Sequence, residues 1–314
     1  MIAVATITPN PAVDVSTSVE RIVPASKLRC AAARRDPGGG GINVARVIKR
    51  LGGNPVAIYP HGGATGHVLS QLVAREQIAS RVCKIAEETR EDFSIEEKRT
   101  GQQYRFVLPG PALNESEWRA CLACLDTLES SPGFVVASGS LPPGVPADFY
   151  ARVGQISKSR NAKFALDSSG TALAAALAPG GGVYLCKPNL RELSELVGTR
   201  LDDEASWIAA SRGLVERGQA EIVALTLGHR GALLATADLT LRAQALPIVP
   251  VSSVGAGDSF LGGLIFGLAT GFELEQAFRY AVAAGSSALL NHGTELCHAQ
   301  DTVRLAAHVL VEPL

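Results

Sequence analysis

Residues 2–7 (IAVATI), 42–52 (INVARVIKRLG), 55–60 (PVAIYP) and 66–78 (GHVLSQLVAREQI) alternate short β-rich apolar runs with longer amphipathic patterns. Parallel strands need a crossover to pair, and that crossover is usually a helix, so the rhythm predicts an α/β chain with a mostly parallel sheet. It resumes in FVVASG (134–139), KFALDSS (163–169), GVYLCKPN (182–189) and EIVALTLG (221–228), most of them ending in small or polar residues. Open α/β sheets bind ligands at that C-terminal edge.

Two stretches break the rhythm. Residues 15–37 and 87–109 carry alternating, strongly charged patterns without helical periodicity. They predict antiparallel strands outside the main sheet, forming a small β-lid, since structureless insertions of this length are uncommon in compact domains unless they serve as lids or binding loops. With no repeat or linker-like tract, residues 1–314 read as a single domain carrying this lid.

Hydrophobic residues make up 46% of the 314-residue chain and charged residues 19%, the profile of an ordinary globular protein. Lys and Arg number 29 against 30 Asp and Glu, so no global basic field draws the chain to nucleic acid or an anionic membrane; an anionic ligand must be met locally. The N-terminal MIAVATITPNPAVD lacks a basic n-region, and no segment reaches the roughly 18 apolar residues of a membrane span. The expectation is a cytoplasmic protein. Six scattered cysteines read as reduced thiols, and the Cys121/Cys124 pair in a helical pattern lacks a second ligand pair for a metal.

The strongest chemical signal is SSVGAGDSFLGGLIFGLATG, residues 252–271. Gly255, Ala256 and Gly257 precede an apolar helical run, where free backbone N–H groups can face an anion. Asp258 then lies in the first turn and could take a proton from a hydroxyl beside that anion. By local physics alone, the same tetrapeptide is equally a loop ending in an N-capping Asp. A second cluster, PGGGGINVARVIKRLGG, sets Gly38–Gly41 ahead of a helix, with Asn43 able to donate and accept toward sugar hydroxyls. It fails the dinucleotide fingerprint at the third glycine, and no phosphate-binding P-loop pattern occurs.

Together, GGGGINVARVIKRLGG and VSSVGAGDSFLGGL resemble the two signatures of the PfkB, ribokinase-like carbohydrate kinases. NPAVD, KLRC, GGATG, GQQYRFVLPGPALNE, SGSLPPGV, DSSGTAL, KPNLRE and LNHGTELC resemble further segments of the minor ATP-dependent 6-phosphofructokinases in that family. The resemblance implies a three-layer α/β/α domain with a β-lid that phosphorylates fructose 6-phosphate with MgATP. It makes Asp258 the general base and the Gly255, Ala256 and Gly257 amides the anion hole. On the sugar side it implies Asp14, Gly39, Gly40, Gly41, Asn43 and Ser140, with Arg90, Arg105 and Lys27 as cations for the sugar phosphate; read alone, Lys27 and its neighbour Arg29 are equally solvated lid charges. For the nucleotide it implies Lys187, Asn189, Thr226, Gly228, Gly231 and Ser286. Asn189 and Glu192 match the N-x-x-E pattern associated with magnesium, a role that suits a carboxylate acting through metal-bound water. Ser252, Val254, Ala288, Asn291 and Gly293 match a monovalent-cation loop, implying potassium, although Glu295 stands where a basic residue is expected.

Sibling kinases for fructose 1-phosphate or tagatose 6-phosphate usually carry Lys within the first glycine cluster, where this chain has GGGG, so the resemblance favours fructose 6-phosphate. A non-catalytic sugar-phosphate sensor would have no need of Asp258. A nucleoside kinase would bring an apolar, aromatic lid instead of one rich in Arg and Lys. The resemblance also implies a homodimer through the β-lid, consistent with what a small sheet with an exposed face gains by pairing.

Overall fold

The apolar runs become strands and the amphipathic runs become the helices that cover them. In the computed structural model, which describes residues 2–314, the first half comprises β1 (Val4–Ile7), β2 (Ala12–Val19), β3 (Arg34–Gly38), α1 (Gly40–Arg50), β4 (Val56–His61), α2 (Gly63–Arg75), β5 (Ala79–Lys84), β6 (Arg90–Glu97), β7 (Gln102–Phe106) and α3 (Glu115–Asp126). There follow β8 (Phe134–Ser138), α4 (Phe149–Ser159), β9 (Lys163–Asp167), α5 (Gly170–Ala176), β10 (Val183–Cys186), α6 (Leu190–Val197), α7 (Glu204–Glu216) and β11 (Ile222–Thr226). The chain ends with β12 (Ala232–Ala235), β13 (Thr240–Ala243), α8 (Ala256–Thr270), α9 (Leu274–Ala288), α10 (Ala299–Ala306) and β14 (Val311–Pro313).

Ten strands form one sheet in the order β14-β13-β12-β11-β10-β9-β8-β1-β4-β5. From β11 to β5 every pairing is parallel, whereas β12, β13 and β14 join antiparallel. One buried cluster packs the face under α3 to α7 and a second fills the opposite face under α1, α8, α9 and α10, which gives the three layers. Gly262 and Gly263 set α8 within this second layer: an added Cβ would stand 2.5 Å from Val47 and 2.7 Å from Ala284, so neither α1 nor α9 could lie so close. Strand order reverses at β1, whose neighbours are β8 and β4, and open α/β sheets bind ligands in the crevice at such a switch point.

The charged segments supply a second sheet, β3-β2-β6-β7. Its outer pairs are antiparallel, as the alternating pattern predicts, but the central pair β2–β6 is parallel. Alternation reports which residues share a face, not the direction of a partner far along the chain. Val13 and Val15 of β2 pack with Ile42, Tyr59 and Leu69, fixing this sheet over the crevice. Among the described residues, no helix is long and apolar enough to cross a membrane.

Candidate active site

A cleft of about 350 Å³ lies between the small sheet and the C-terminal edge of the large one. Strand ends and helix starts supply its floor: Ser138 at the end of β8 with Gly139 and Ser140 after it, Asp167 at the end of β9, and Gly255, Gly257 and Asp258 around the start of α8. Gly39, Gly40 and Asn43 enter from the start of α1, and the small sheet contributes Asp14, Arg90, Asp92 and Arg105. A roomier cleft of about 570 Å³ between α6 and α7 is lined largely by Leu196, Val197, Leu201 and Leu214, with Arg217 its one charged residue, and offers no acid–base pair.

Gly255 is the N-cap of α8 and Asp258 lies in its first turn, so Asp258 is not the N-capping residue. Gly255 adopts φ 75°, and an added Cβ would meet Leu296 at 2.5 Å. Surrounding protein desolvates Asp258 and the nearby Asp167 repels its charge, which together raise its pKa to about 6; the Asn43 amide, Lys187 and Arg105 restrain the rise. Asn43 Nδ2 donates to Asp258 Oδ2 over 2.9 Å. A carboxylate in this condition is ionised at neutral pH yet basic enough to accept a proton.

Lys187 follows β10 and is buried, its Nζ 3.0 Å from Asp167 Oδ1. Burial opposes its charge, but Asp167, with Asp258 and Glu192 beyond, holds its pKa above the usual lysine value. Ser138 Oγ donates to Asp167 Oδ2 over 3.2 Å, and an added Cβ at Gly40 would lie 2.1 Å from that hydroxyl, so a glycine here leaves the corner to Ser138. Gly41 serves differently: its missing Cβ would strike Thr8 and the Ile7 carbonyl, so it is a packing glycine against β1 and does not line the cleft.

Arg90 is nearly consumed by its own sheet. It pairs with Asp92 at 3.1 Å and donates to the carbonyls of Leu108 and Asn10, leaving its buried Nε without a partner. Arg105 lines the same cleft, and no carboxylate among the described residues pairs with it. Asp14 faces both: desolvation and the neighbouring Asp92 push its pKa up to about 7, against the pull of Arg105, Arg46 and Arg90. Lys27 lies exposed in the connection between β2 and β3 with Arg29, outside the cleft.

Asn189 and Glu192 form a capping box at the start of α6: Asn189 Oδ1 accepts from the Glu192 amide at 2.9 Å, and Glu192 Oε2 from the Asn189 amide at 2.8 Å. The N-x-x-E spacing therefore has a structural purpose as well. Glu192 still lines the cleft, and desolvation with repulsion from Asp167 raises its pKa despite the cap and Lys187. Asn189 bridges to Thr226, and Gly228 and Gly231 shape the turn after β11, so these residues continue the same sheet edge beyond the cleft lining. Ser286 is buried in α9. Ser252 reaches the other half of the expected cation loop, its Oγ donating to the Gly293 carbonyl at 3.3 Å and its N–H to the Leu289 carbonyl at 3.4 Å, while Val254 N–H donates to Ser252 Oγ. Ala288 accepts from the Asn291 amide, and the Asn291 side chain donates to the Ser287 and Leu296 carbonyls.

Sequence reading missed Asp167, Ser138 and Asp92. The signal for Asp167 was present in the polar end of KFALDSS, at the edge where open sheets bind ligands.

A buried-edge carboxylate at a helix start, an adjoining lysine–aspartate pair and a glycine-rich helix entry across the cleft are the parts of a phosphoryl-transfer site. The family model for pfkB carbohydrate kinases matches residues 6–301, and the chain belongs to that family. It is 46% identical over 299 residues to ATP-dependent 6-phosphofructokinase isozyme 2 of Mycobacterium tuberculosis, covering 95% of this chain and 87% of the relative. Two crystal structures of Escherichia coli phosphofructokinase-2 superpose over 98% of this chain and 99% of theirs: one in complex with potassium (TM-score 0.94, 41% identity) and one in complex with fructose-6-phosphate (TM-score 0.92, 40% identity).

Proposed function

We propose that this chain is an ATP-dependent 6-phosphofructokinase that transfers the γ-phosphoryl group of ATP to the C1 hydroxyl of fructose 6-phosphate. The observation that carries the reading is Asp258, recessed in the cleft at the start of α8, held by Asn43 and poised near pKa 6. Arg105, with the remaining capacity of Arg90, receives the sugar phosphate; an unpaired guanidinium can fork onto its oxygens. Asp14, the Gly39–Gly40 backbone and Ser140 hold the sugar so that its hydroxyl meets Asp258. Asp258 takes the hydroxyl proton as the oxygen bonds to the γ-phosphorus and the bond to ADP breaks. The amides of Gly255, Ala256 and Gly257 face the charge on the transferring group, and Lys187 adds positive charge beside it.

Among the described residues, no group of three or more His, Cys, Asp or Glu side chains can hold a metal directly. This suits magnesium, which keeps several waters and takes phosphate oxygens, with Asp167 and Glu192 as the carboxylates available to it. Bound there, magnesium supplies charge neutralisation to the phosphates. Asn189, Thr226, Gly228, Gly231 and Ser286 are the residues for the rest of the nucleotide. Potassium belongs in the loop joined by Ser252 and Gly293, a reading supported by the relative solved with that ion.

The small sheet is the dimer surface in this reading. Phe106, Val107 and Leu108 leave it exposed to 51%, 59% and 44%, a contiguous apolar edge that a second copy would cover, and Lys27 would then reach toward the partner's site. Light scattering at micromolar concentration should give twice the monomer mass. A coupled ADP-release assay with fructose 6-phosphate, fructose 1-phosphate and tagatose 6-phosphate, with and without potassium, tests the whole reading. Preference for fructose 6-phosphate supports it; preference for another sugar keeps Asp258 as base and overturns the substrate assignment.

A further inference from the structure

Arg46 is the largest fully buried side chain of the described residues, with no exposed surface. Burying a guanidinium costs several kcal/mol unless its hydrogen bonds are met, so its partners matter. Nε donates to Glu76 at 2.9 Å; Nη1 donates to the Pro37 carbonyl at 3.1 Å and to Asn43 Oδ1 at 3.2 Å; and Nη2 stands 3.7 Å from Asp36 Oδ1 without a hydrogen bond. The contact with Asn43 spans one turn of α1. On its other side Asn43 faces Asp258.

A guanidinium only donates, and an ionised carboxylate only accepts. Asn43 lies between one of each, so just one orientation of its amide satisfies both: oxygen toward Arg46, nitrogen toward Asp258. A flipped amide would set two donors together on one side and two acceptors on the other. We propose that Arg46 is a positioning residue for phosphoryl transfer, fixing the Asn43 amide so that its N–H group holds and orients the catalytic carboxylate. The inference rests on the reading of Asp258 as base. The alternative is a purely structural ion pair, in which Arg46 ties α1 to α2 and β3 through Glu76 and Asp36.

The Asn43 hydrogen bond lowers the Asp258 pKa, together with Lys187 and Arg105, against desolvation and Asp167. Arg46 is not among the groups that shift Asp258 directly, but its charge lowers the pKa of Asp14, alongside Arg105 and Arg90 and against desolvation and Asp92. The pH profile is therefore read on kcat at saturating sugar, where Asp14 binding effects are removed.

The test is a double-mutant cycle of Arg46→Met with Asn43→Ala, with Arg46→Lys taking its place if the methionine variant does not fold. In the native background the Arg46 substitution should lower kcat roughly tenfold, the scale of a hydrogen bond to a charged group, and move the acid limb of kcat to higher pH. In the Asn43→Ala background it should change neither, because the residue through which it acts is already gone. Equal losses of kcat in both backgrounds, or an unmoved acid limb, overturn the positioning role. Asp258→Asn in the same assay scores the base separately: normal turnover in that variant defeats the base assignment, whereas a dead Asp258→Asn with an additive Arg46 penalty defeats only the inference about Arg46.

Discussion

Lys187 Nζ lies 3.0 Å from Asp167 Oδ1, and the two form the most enclosed ion pair facing the cleft, with side-chain exposures of 5% and 15%. Asp167 also raises the pKa of Asp258, so Lys187 is the charge that keeps two neighbouring carboxylates tolerable. Lys187→Met leaves Asp167 uncompensated. We expect a loss of roughly 3–5 kcal/mol in stability by urea denaturation, the usual result of removing one partner of a buried pair. Adding Asp167→Asn to it should recover part of the loss, and a double variant as unstable as the single one would show that the pair is not what holds this corner together.

Asp258→Asn should lower kcat roughly 10²–10⁴-fold with the sugar KM changed little, the scale of a positioned base. The native enzyme should lose turnover as pH falls through about 6, where Asp258 protonates. Stability runs the other way. Asp258 and Asp14 have folded-state pKa values raised to about 6 and about 7 from an ordinary 3.8, so between those limits the native state binds more protons than the unfolded chain. Stability contributed by these two groups is full below pH 4 and declines as pH rises through 7. At pH 8 the Asp258→Asn variant should therefore melt above the native protein, an advantage that vanishes near pH 4; a lower melting temperature at both values would show that the carboxylate is not strained by burial.

The strand rhythm was readable because most strands of the large sheet are short, mainly apolar runs between longer helical patterns, as in residues 4–7 and 134–138. The glycine-rich helix entries were readable because missing side chains at fixed offsets leave few other meanings. What stayed hidden depends on partners distant in the chain. Arg46 in INVARVIKRLG reads as one polar position of an amphipathic helix until Glu76 and Asp36 arrive from other elements to bury it. Asp167 reads as an ordinary turn residue until Lys187 meets it. The sequence groups Arg90 and Arg105 as cations for the sugar phosphate, with Arg90 in ETRED the better match, and only the folded sheet shows that Asp92 engages Arg90, while no carboxylate among the described residues pairs with Arg105.

That difference separates the two arginines by experiment. Arg105→Ala should raise the KM for the sugar phosphate at least tenfold while leaving the ATP KM and the melting temperature nearly unchanged, since Arg105 is exposed and unpaired. Arg90→Ala should raise the same KM and also destabilise the fold, because it removes the cation paired with Asp92 and the donor to the carbonyls of Asn10 and Leu108. Thermal melts beside the kinetics distinguish the pair. Equal, small effects of both substitutions on the two substrates would remove them from the phosphate site.

Gly255 and Gly271 bracket α8, both with positive φ, at 75° and 89°. An alanine at either position must enter the left-handed region, at roughly 1–2 kcal/mol. Their surroundings differ: nothing lies within 4 Å of a Cβ built on Gly271, whereas one on Gly255 meets Leu296 at 2.5 Å, and Gly255 lines the cleft. Gly271→Ala should lower the melting temperature by a few degrees and leave kcat unchanged, which isolates the backbone cost. Gly255→Ala should lose more stability than Gly271→Ala, because its Cβ must also displace buried Leu296, together with a fall in kcat of roughly 10²-fold, the cost of disturbing an oxyanion-type donor. Native kcat in the Gly255→Ala variant, with its stability loss intact, would mean that the turn serves the helix alone.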